Sequence, residues 1–306
     1  MHDTPTWLFC IGAQKAGTTW LYDYCAKHPE IHVPSVKEIH YFNVLHDANQ
    51  LEFANSRRAM LEARKSRRLG ASLNDMLRKK MPGDDYSEKT LSALAKMYDD
   101  DSQEHLVYQE FVTAGRKTEK VVADITPDYG VLRPSAFADM ASFSDGAKFL
   151  FLMRDPIERT WSNIKMHSSF LKARGKADLN EMELVDRILK GRQAHILQRS
   201  MYQRTLFNLR QVASPEQIQV LFYENLFSDA SMKQLCDFLG VAFASGDYKT
   251  RIREGKLETV PEEAFNKLAP LLRVVYQRIV ENYADQMPDS WHTERVLSQP
   301  LLQVAS

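Results

Sequence analysis

At 306 residues the chain is long enough for one large α/β domain or two smaller ones, with a sizeable core. Hydrophobic residues make up 44% and charged residues 26%, and 40 Lys and Arg balance 40 Asp and Glu; bulk attraction to nucleic acid or a membrane surface is excluded, and an anion site must come from local clustering. No run reaches the ~18 apolar residues of a membrane span, the start MHDTPTWLF lacks a signal-peptide pattern, and Cys10, Cys25 and Cys236 have neither paired nor metal-ligand spacing, as expected of reduced core thiols in the cytoplasm.

In chain order, TWLFCI (6–11) reads as a buried strand, followed by GAQKAGTT (12–19) and a helix from Thr18 to about Lys27. Glycines at a strand-to-helix turn let successive backbone N–H groups approach an anion, and the positive helix end adds to them. Gly12 and Gly17 have four residues between them, as in a nucleoside-triphosphate loop, but the lysine is Lys15, between the glycines rather than after the second. There it would project over the outer side of a bound phosphate and stabilise charge on a departing oxygen. A glycine turn with a lysine also arises by chance, so the loop needs a second motif beside it.

IHVP (31–34) is a short extended piece. If VKEIHYF beyond it is also extended, alternation puts Glu38 and His40 on one face and Lys37 and Ile39 on the other. A carboxylate and an imidazole together can take a proton from a nucleophile; read alone, they are equally a solvated loop glutamate and a half-buried histidine. Residues 45–120 are charged and helical in pattern, which predicts a helical insertion near the mouth of an active site, with the basic stretch Arg57–Arg68 as a solvated helix face. VVADITP, from Val121, is a second strand, and Asp124 beyond its middle can cap a turn.

KFLFLM (148–153) is the strongest strand, and it runs into RDPIERTWS. Asp155 can cap the next helix and Pro156 can take its first position. Arg154 at the strand tip can grip a phosphate with its planar fork, and Ser162, two turns into the helix, can face the same cleft. The strand ends in arginine rather than in an aspartate that would hold Mg²⁺, so no metal site is evident. IQVLFYE (218–224) is a further strand, SDASMKQLCDFLG an amphipathic helix with a glycine stop, and Phe265, Leu268, Leu272, Val275, Tyr276 and Ile279 predict a core-packing helix pair divided at Pro270. Strands alternating with helices imply a mainly parallel sheet covered on both faces, with ligands at the C-terminal strand ends.

Together these motifs resemble the sulfotransferase superfamily that uses 3′-phosphoadenosine-5′-phosphosulfate (PAPS). The order and strand-end placement of the loop and of the Arg154/Ser162 pair match, and HPEIHVPSVKEIHYFN, SMYQRTLFNLRQV and VLFYENLFSDASMKQLCDFLGV are similar to segments of its heparan-sulfate and bacterial branches. The likeness spans most of residues 6–285 outside the insertion. It implies a three-layer, P-loop-like α/β fold, with a central, mainly parallel sheet flanked by helices, in a single domain over 1–306. It implies that Gly12, Ala13, Gln14, Lys15, Ala16, Gly17, Thr18 and Thr19 hold the 5′-phosphosulfate, that Lys15 attends the oxygen bridging phosphorus and sulfur, and that Arg154 and Ser162 hold the 3′-phosphate. Trp20 falls where an aromatic lies against adenine, or else is a core residue. Tyr223, and Arg253, Gly255 and Lys256 in RIREGKLE (251–258), complete the expected nucleotide contacts.

On the acceptor side the resemblance makes Glu38 the base, with His40 its partner or the alternative base, and adds Asp124, Asp128, Tyr129 and Tyr202 as candidate substrate contacts. One departure stands out. The heparan-sulfate branch carries EK-[ST]-P-x-Y where this chain has ADITPDY; the lysine position is Ile125, and Asp128 is an added acid. That puts a polysaccharide acceptor in doubt and leaves a small-molecule, lipid or carbohydrate hydroxyl or amine. The reaction implied is in-line transfer of a sulfuryl group without metal, releasing adenosine 3′,5′-bisphosphate, with no nucleic-acid partner. The competing readings are a P-loop kinase and a non-catalytic nucleotide-binding scaffold.

Overall fold

Apolar runs such as TWLFCIG and VVADI have no polar face to offer water, so they pair in the middle of a sheet buried on both sides. In the computed structural model, which describes residues 4–47, 50–68, 86–100, 104–144, 146–173, 175, 180–249 and 259–299, five strands pair in the order β2-β3-β1-β4-β5. They are β1 (Thr6–Gly12), β2 (Ile31–His32), β3 (Val121–Ile125), β4 (Lys148–Met153) and β5 (Ile218–Phe222). Every pairing is parallel, and the α/β sheet is flanked by helices.

Helix α1 (Thr18–Lys27) joins β1 to β2. Between β2 and β3 come α2 (Tyr41–His46), α3 (Glu52–Arg68), α4 (Glu88–Tyr98) and α5 (Leu106–Thr113), and α6 (Pro134–Ala141) precedes β4. The β4-to-β5 crossover holds α7 (Pro156–Ala173), α8 (Glu181–Leu189), α9 (Ala194–Gln198) and α10 (Tyr202–Leu209). Helices α11 (Asp229–Leu239), α12 (Glu262–Tyr283) and α13 (Thr293–Leu297) follow β5. None of the described helices is long and apolar enough to cross a membrane.

This strand order positions the site. From β1 the chain turns one way, through α1 to β2; from the adjacent β4 it turns the other way, through α7–α10 to β5. The two connections diverge and leave a crevice beyond the C-terminal ends of β1 and β4, where ligands bind in open α/β sheets. The start of α7 is built as its sequence predicts. Asp155 Oδ1 accepts the N–H groups of Ile157 and Glu158, both at 3.0 Å, with Pro156 in the first turn. Its Oδ2 accepts the N–H of His292 at 3.0 Å and ties the C-terminal segment to the base of the crevice.

The stretch between β2 and β3 carries the helices α2 to α5 among its described residues. It is also bonded into the body of the fold. Leu94 and Met97 of α4 and Tyr108 and Val112 of α5 belong to the same buried core as β1 and β4. Of the basic stretch on α3, Arg58 and Lys65 lie at the surface in ion pairs with Asp99 and Glu62, while Arg57 lies over the Tyr86 ring at 4.9 Å.

The expected helix pair split at Pro270 is instead one helix, α12, with Pro270 inside it. Phe265 and Leu268 before the proline and Leu272, Val275, Tyr276 and Ile279 after it are all buried. Burying that continuous stripe outweighs the hydrogen bond that proline cannot donate. Pro270→Ala restores a donor to the Asn266 carbonyl and is expected to raise stability by about 1–2 kcal/mol, the gain partly offset by the freer unfolded chain. Urea unfolding checks this; an unchanged or lower midpoint would mean that the proline is accommodated without cost.

Candidate active site

The loop after β1 is pinned from both sides. The Ala13 N–H donates to the Leu152 carbonyl of β4 at 2.7 Å, and the Ala16 N–H to the Ala13 carbonyl at 3.1 Å. Gly17 caps α1 in the left-handed region, at φ 87°. A β-carbon there would lie 2.8 Å from Leu226 Cδ2 and 3.1 Å from Tyr223 Cδ2, so this position needs glycine for both shape and conformation. Lys15 is also left-handed, at φ 74°. The first turn of α1 carries Thr18 and Thr19 and no acidic residue, so nothing there offsets the positive helix end.

Arg154 leaves the tip of β4 beside this loop. Its guanidinium lies 4.7 Å over the Tyr223 ring. One terminal nitrogen donates to Glu158 at 2.9 Å and the other to the Lys15 carbonyl at 3.4 Å. Its Nε is buried and has no hydrogen-bond partner among the described residues. The Tyr223 N–H donates to the Met153 carbonyl at 2.7 Å, so one ring touches both Gly17 and Arg154. Ser162 stands one helical turn beyond Glu158 on α7, half-buried on the same face. A contact that the sequence did not disclose is Asn163, which donates to the Gln14 side chain at 2.8 Å and braces the loop against α7.

Trp20 does not offer a face to a base. Its ring is stacked between Tyr24, at 5.7 Å and 16°, and Tyr248, at 5.9 Å and 30°. Its Nε1 donates to the Asp247 carbonyl at 2.9 Å. The ring is buried, with Tyr248 of the 244–248 segment against it. Arg253, Gly255 and Lys256 lie outside the described residues.

On the acceptor side, the expectation of an extended VKEIHYF segment fails. Glu38 and His40 both have φ 58°, in the left-handed region, and His40 caps α2. Lys37 does not point away from Glu38 but pairs with its Oε1. Backbone tethers explain the turn: the Ile39 N–H donates to Thr126 Oγ1 at 3.1 Å, and the Tyr98 hydroxyl donates to the Ile39 carbonyl. Glu38 and His40 still converge, with Oε2 and Nε2 4.0 Å apart. The Glu38 side chain is 36% exposed and that of His40 7%. Phe53 of α3 lies flat on the His40 ring, with centroids 3.6 Å apart at 6°.

The other acceptor-side candidates divide. Asp124 is fully buried and accepts from Tyr108 and Tyr129, each at 2.8 Å, and from Thr126 at 2.7 Å. Burial pushes its carboxyl up, and the three hydroxyls offset only part of that. Asp124 and Tyr129 thus spend polar atoms on each other, and Tyr202 spends its hydroxyl on the Arg154 carbonyl at 2.8 Å; all three side chains are buried. Asp128 is different. One oxygen accepts from Arg199 at 2.6 Å and the other lies 4.0 Å from His40 Nδ1. Burial alone would raise the Asp128 carboxyl, but the Arg199 guanidinium overrides it and holds the group below its ordinary value. Asn43 links these groups, facing His40 Nδ1 with its Oδ1 at 3.1 Å and donating from Nδ2 to the Asp128 carbonyl at 3.0 Å. Neither Asn43, Phe53 nor Arg199 was identified from the sequence. Asn43 stands three residues after His40, a helical spacing that an extended reading hides.

A family model described as the sulfotransferase family matches residues 5–245, and the chain belongs to that family. Among solved structures it is similar to a sulfotransferase from Alicyclobacillus acidocaldarius, with 20% identity, TM-score 0.58, and 90% of this chain and 94% of that one covered. It is also similar to the sulfotransferase domain of the Synechococcus PCC 7002 olefin synthase, with 19% identity, TM-score 0.50, and 94% and 98% covered. At these identities the likeness is one of fold. No curated protein matches it by sequence.

Arg199→Met leaves the Asp128 carboxylate buried without its cation, an expected loss of about 3 kcal/mol at pH 7. Because the folded carboxyl sits below its unfolded value, the pair's contribution is complete above about pH 4 to 5 and disappears as the pH falls through the folded value. Denaturant unfolding of both proteins should therefore show a gap at pH 7 that narrows toward pH 3. A gap independent of pH would remove the charge pair as its cause.

Proposed function

We propose that this chain is a PAPS-dependent sulfotransferase that moves a sulfuryl group to an acceptor hydroxyl or amine. The observation that carries the reading is the convergence, at the ends of adjacent strands, of the Gly12–Thr19 loop and the Arg154 guanidinium, joined through Tyr223. Two features fit a nucleotide bearing two separate phosphate groups. The Gly17 turn is a cradle that any side chain would fill. Arg154 Nε is a buried donor with no partner among the described residues. The loop with Lys15, Thr18 and Thr19 would hold the 5′-phosphosulfate, and Arg154 with Ser162 the 3′-phosphate.

PAPS supplies an already activated sulfuryl group on a mixed anhydride. What remains for the protein is orientation, charge and a proton. Lys15 answers negative charge on the oxygen that parts from sulfur. Glu38 and His40, 4.0 Å apart, take the proton that the acceptor loses as it attacks. A kinase reading is disfavoured by the position of Lys15 and by Asp155, whose two oxygens are engaged by backbone N–H groups rather than turned to a metal. The acceptor is read as a small molecule, lipid or carbohydrate. Ile125, 2% exposed, stands where the heparan-sulfate branch has a lysine, which weighs against a sulfated polysaccharide. We read the chain as one catalytic domain whose 45–120 helices border the acceptor side. Its buried, unpaired Cys10, Cys25 and Cys236 suit the cytoplasm.

Adenosine 3′,5′-bisphosphate should raise the melting temperature, while ATP with Mg²⁺ should not; the reverse pattern would favour the kinase. Arg154→Ala should erase the preference for PAPS over adenosine 5′-phosphosulfate, a loss of ~1.5–3 kcal/mol for a charge-assisted contact. Full discrimination by the variant would sink the 3′-phosphate assignment. Lys15→Ala should lower turnover ~10²–10³-fold with product-nucleotide affinity largely kept, and near-wild-type turnover would take Lys15 out of the mechanism.

A further inference from the structure

We propose that Asn43 is a positioning residue that fixes the tautomer of His40, holding the ring proton on Nδ1 and turning the Nε2 lone pair toward Glu38 as the proton acceptor. The inference rests on the functional reading above and deepens its acceptor side.

The argument follows donors and acceptors. Asn43 is fully buried, so both ends of its amide must find partners within the protein. One end lies 3.0 Å from the Asp128 carbonyl, which can only accept; that end is therefore the NH₂ group. The oxygen is then committed to His40 Nδ1 at 3.1 Å. An amide oxygen can only accept, so Nδ1 carries the hydrogen. The other group on that side, Asp128 Oδ2 at 4.0 Å, is also an acceptor and acts in the same sense. A neutral imidazole has one N–H, so Nε2 keeps its lone pair.

That lone pair faces Glu38 Oε2 across 4.0 Å. Two acceptors at this spacing repel unless a donor lies between them. An acceptor O–H or neutral amine N–H is such a donor, which would make the gap the place where the attacking group is held. When the acceptor oxygen bonds to sulfur and the anhydride oxygen leaves, the acceptor's proton passes to Nε2. The resulting imidazolium keeps its Nδ1–H on Asn43 and is flanked by Glu38 and Asp128. The other charges around the ring are already engaged: Lys37 pairs with Glu38, Arg199 pairs with Asp128, and Asp124 is ringed by three hydroxyls. Phe53, flat on the ring, holds its plane, and Asn43 determines which nitrogen lies on its side.

The test reads the tautomer directly. Long-range ¹H–¹⁵N correlation spectra of protein labelled at the histidine imidazoles, recorded at about pH 8.5 where histidine rings are ordinarily neutral, identify the protonated nitrogen. The His40 signals are assigned by their loss in His40→Gln. The wild type is expected to show Nδ1–H. Asn43→Asp, which keeps an acceptor at this point, should retain it, and Asn43→Leu should shift the ring toward the Nε2–H form that predominates in a free histidine. An Nε2–H ring in the wild type overturns the proposal, whether or not the leucine variant folds. So does an Nδ1–H ring unchanged in a natively melting Asn43→Leu. Failure of the functional reading would appear elsewhere, as no stabilisation by adenosine 3′,5′-bisphosphate, and would leave the tautomer result standing.

Discussion

One aromatic ring holds the Gly17 turn and Arg154 together. Tyr223, just beyond β5, lies under the Arg154 guanidinium and against Gly17, while its N–H is bonded to the Met153 carbonyl. Its position is thus set by the β4–β5 ladder, and it passes that register to the residue leaving β4 and to the turn leaving β1. The guanidinium gains from the ring face, and Glu158 and the Lys15 carbonyl fix its fork. Three strand ends therefore share one geometry. A shift of any strand by one residue would turn these side chains to the opposite face of the sheet.

The acceptor side is organised by two aspartates with opposite surroundings. Asp124 sits among hydroxyls and no cation; its carboxyl is pushed up, and it works as a hub that ties β3 to α5 and to the turn at Tyr129. Asp128, four residues on, is held down by Arg199 and stays charged beside His40. Two acids in one short segment thus divide into a structural group and an electrostatic one. The division follows from what each oxygen touches rather than from residue type.

The strands, the glycine loop, the Asp155 cap and the Arg154 tip were legible because each depends on local chemistry: apolar runs, a glycine turn, a capping carboxylate before proline. The continuity of α12 was not, since Pro270 is a local breaker that only the buried stripe on both sides of it overrides. The Glu38–His40 pair was legible as a pair, but for the wrong reason. Alternation along a strand predicted a shared face; what brings the groups together is a turn with two left-handed residues, held by Thr126 and Tyr98 from distant parts of the chain. Arg199 and Phe53 act through contacts from elsewhere in the chain that no local pattern marks, whereas Asn43 stands at a helical spacing from His40 that the extended reading hid. The four acceptor-side candidates show the converse: residue type and position near a strand end did not separate Asp124, Tyr129 and Tyr202 from Asp128.

These contacts also tie the helical stretch between β2 and β3 to the Glu38–His40 turn. The crevice at Gly17 and Arg154 is built from strand ends and the helices that follow them. The Glu38–His40 pair is not. Phe53 of α3 covers the His40 ring, Tyr98 of α4 holds the Ile39 carbonyl between Glu38 and His40, and Tyr108 of α5 supports Asp124 beneath Thr126, whose hydroxyl anchors Ile39. Three helices of the stretch, α3, α4 and α5, thus each contribute one aromatic side chain to the turn or to the groups that hold it. A turn with two left-handed non-glycine residues is costly in isolation. It persists because these rings and hydroxyls hold it, so the geometry of the Glu38–His40 pair is set in part by side chains from α3, α4 and α5.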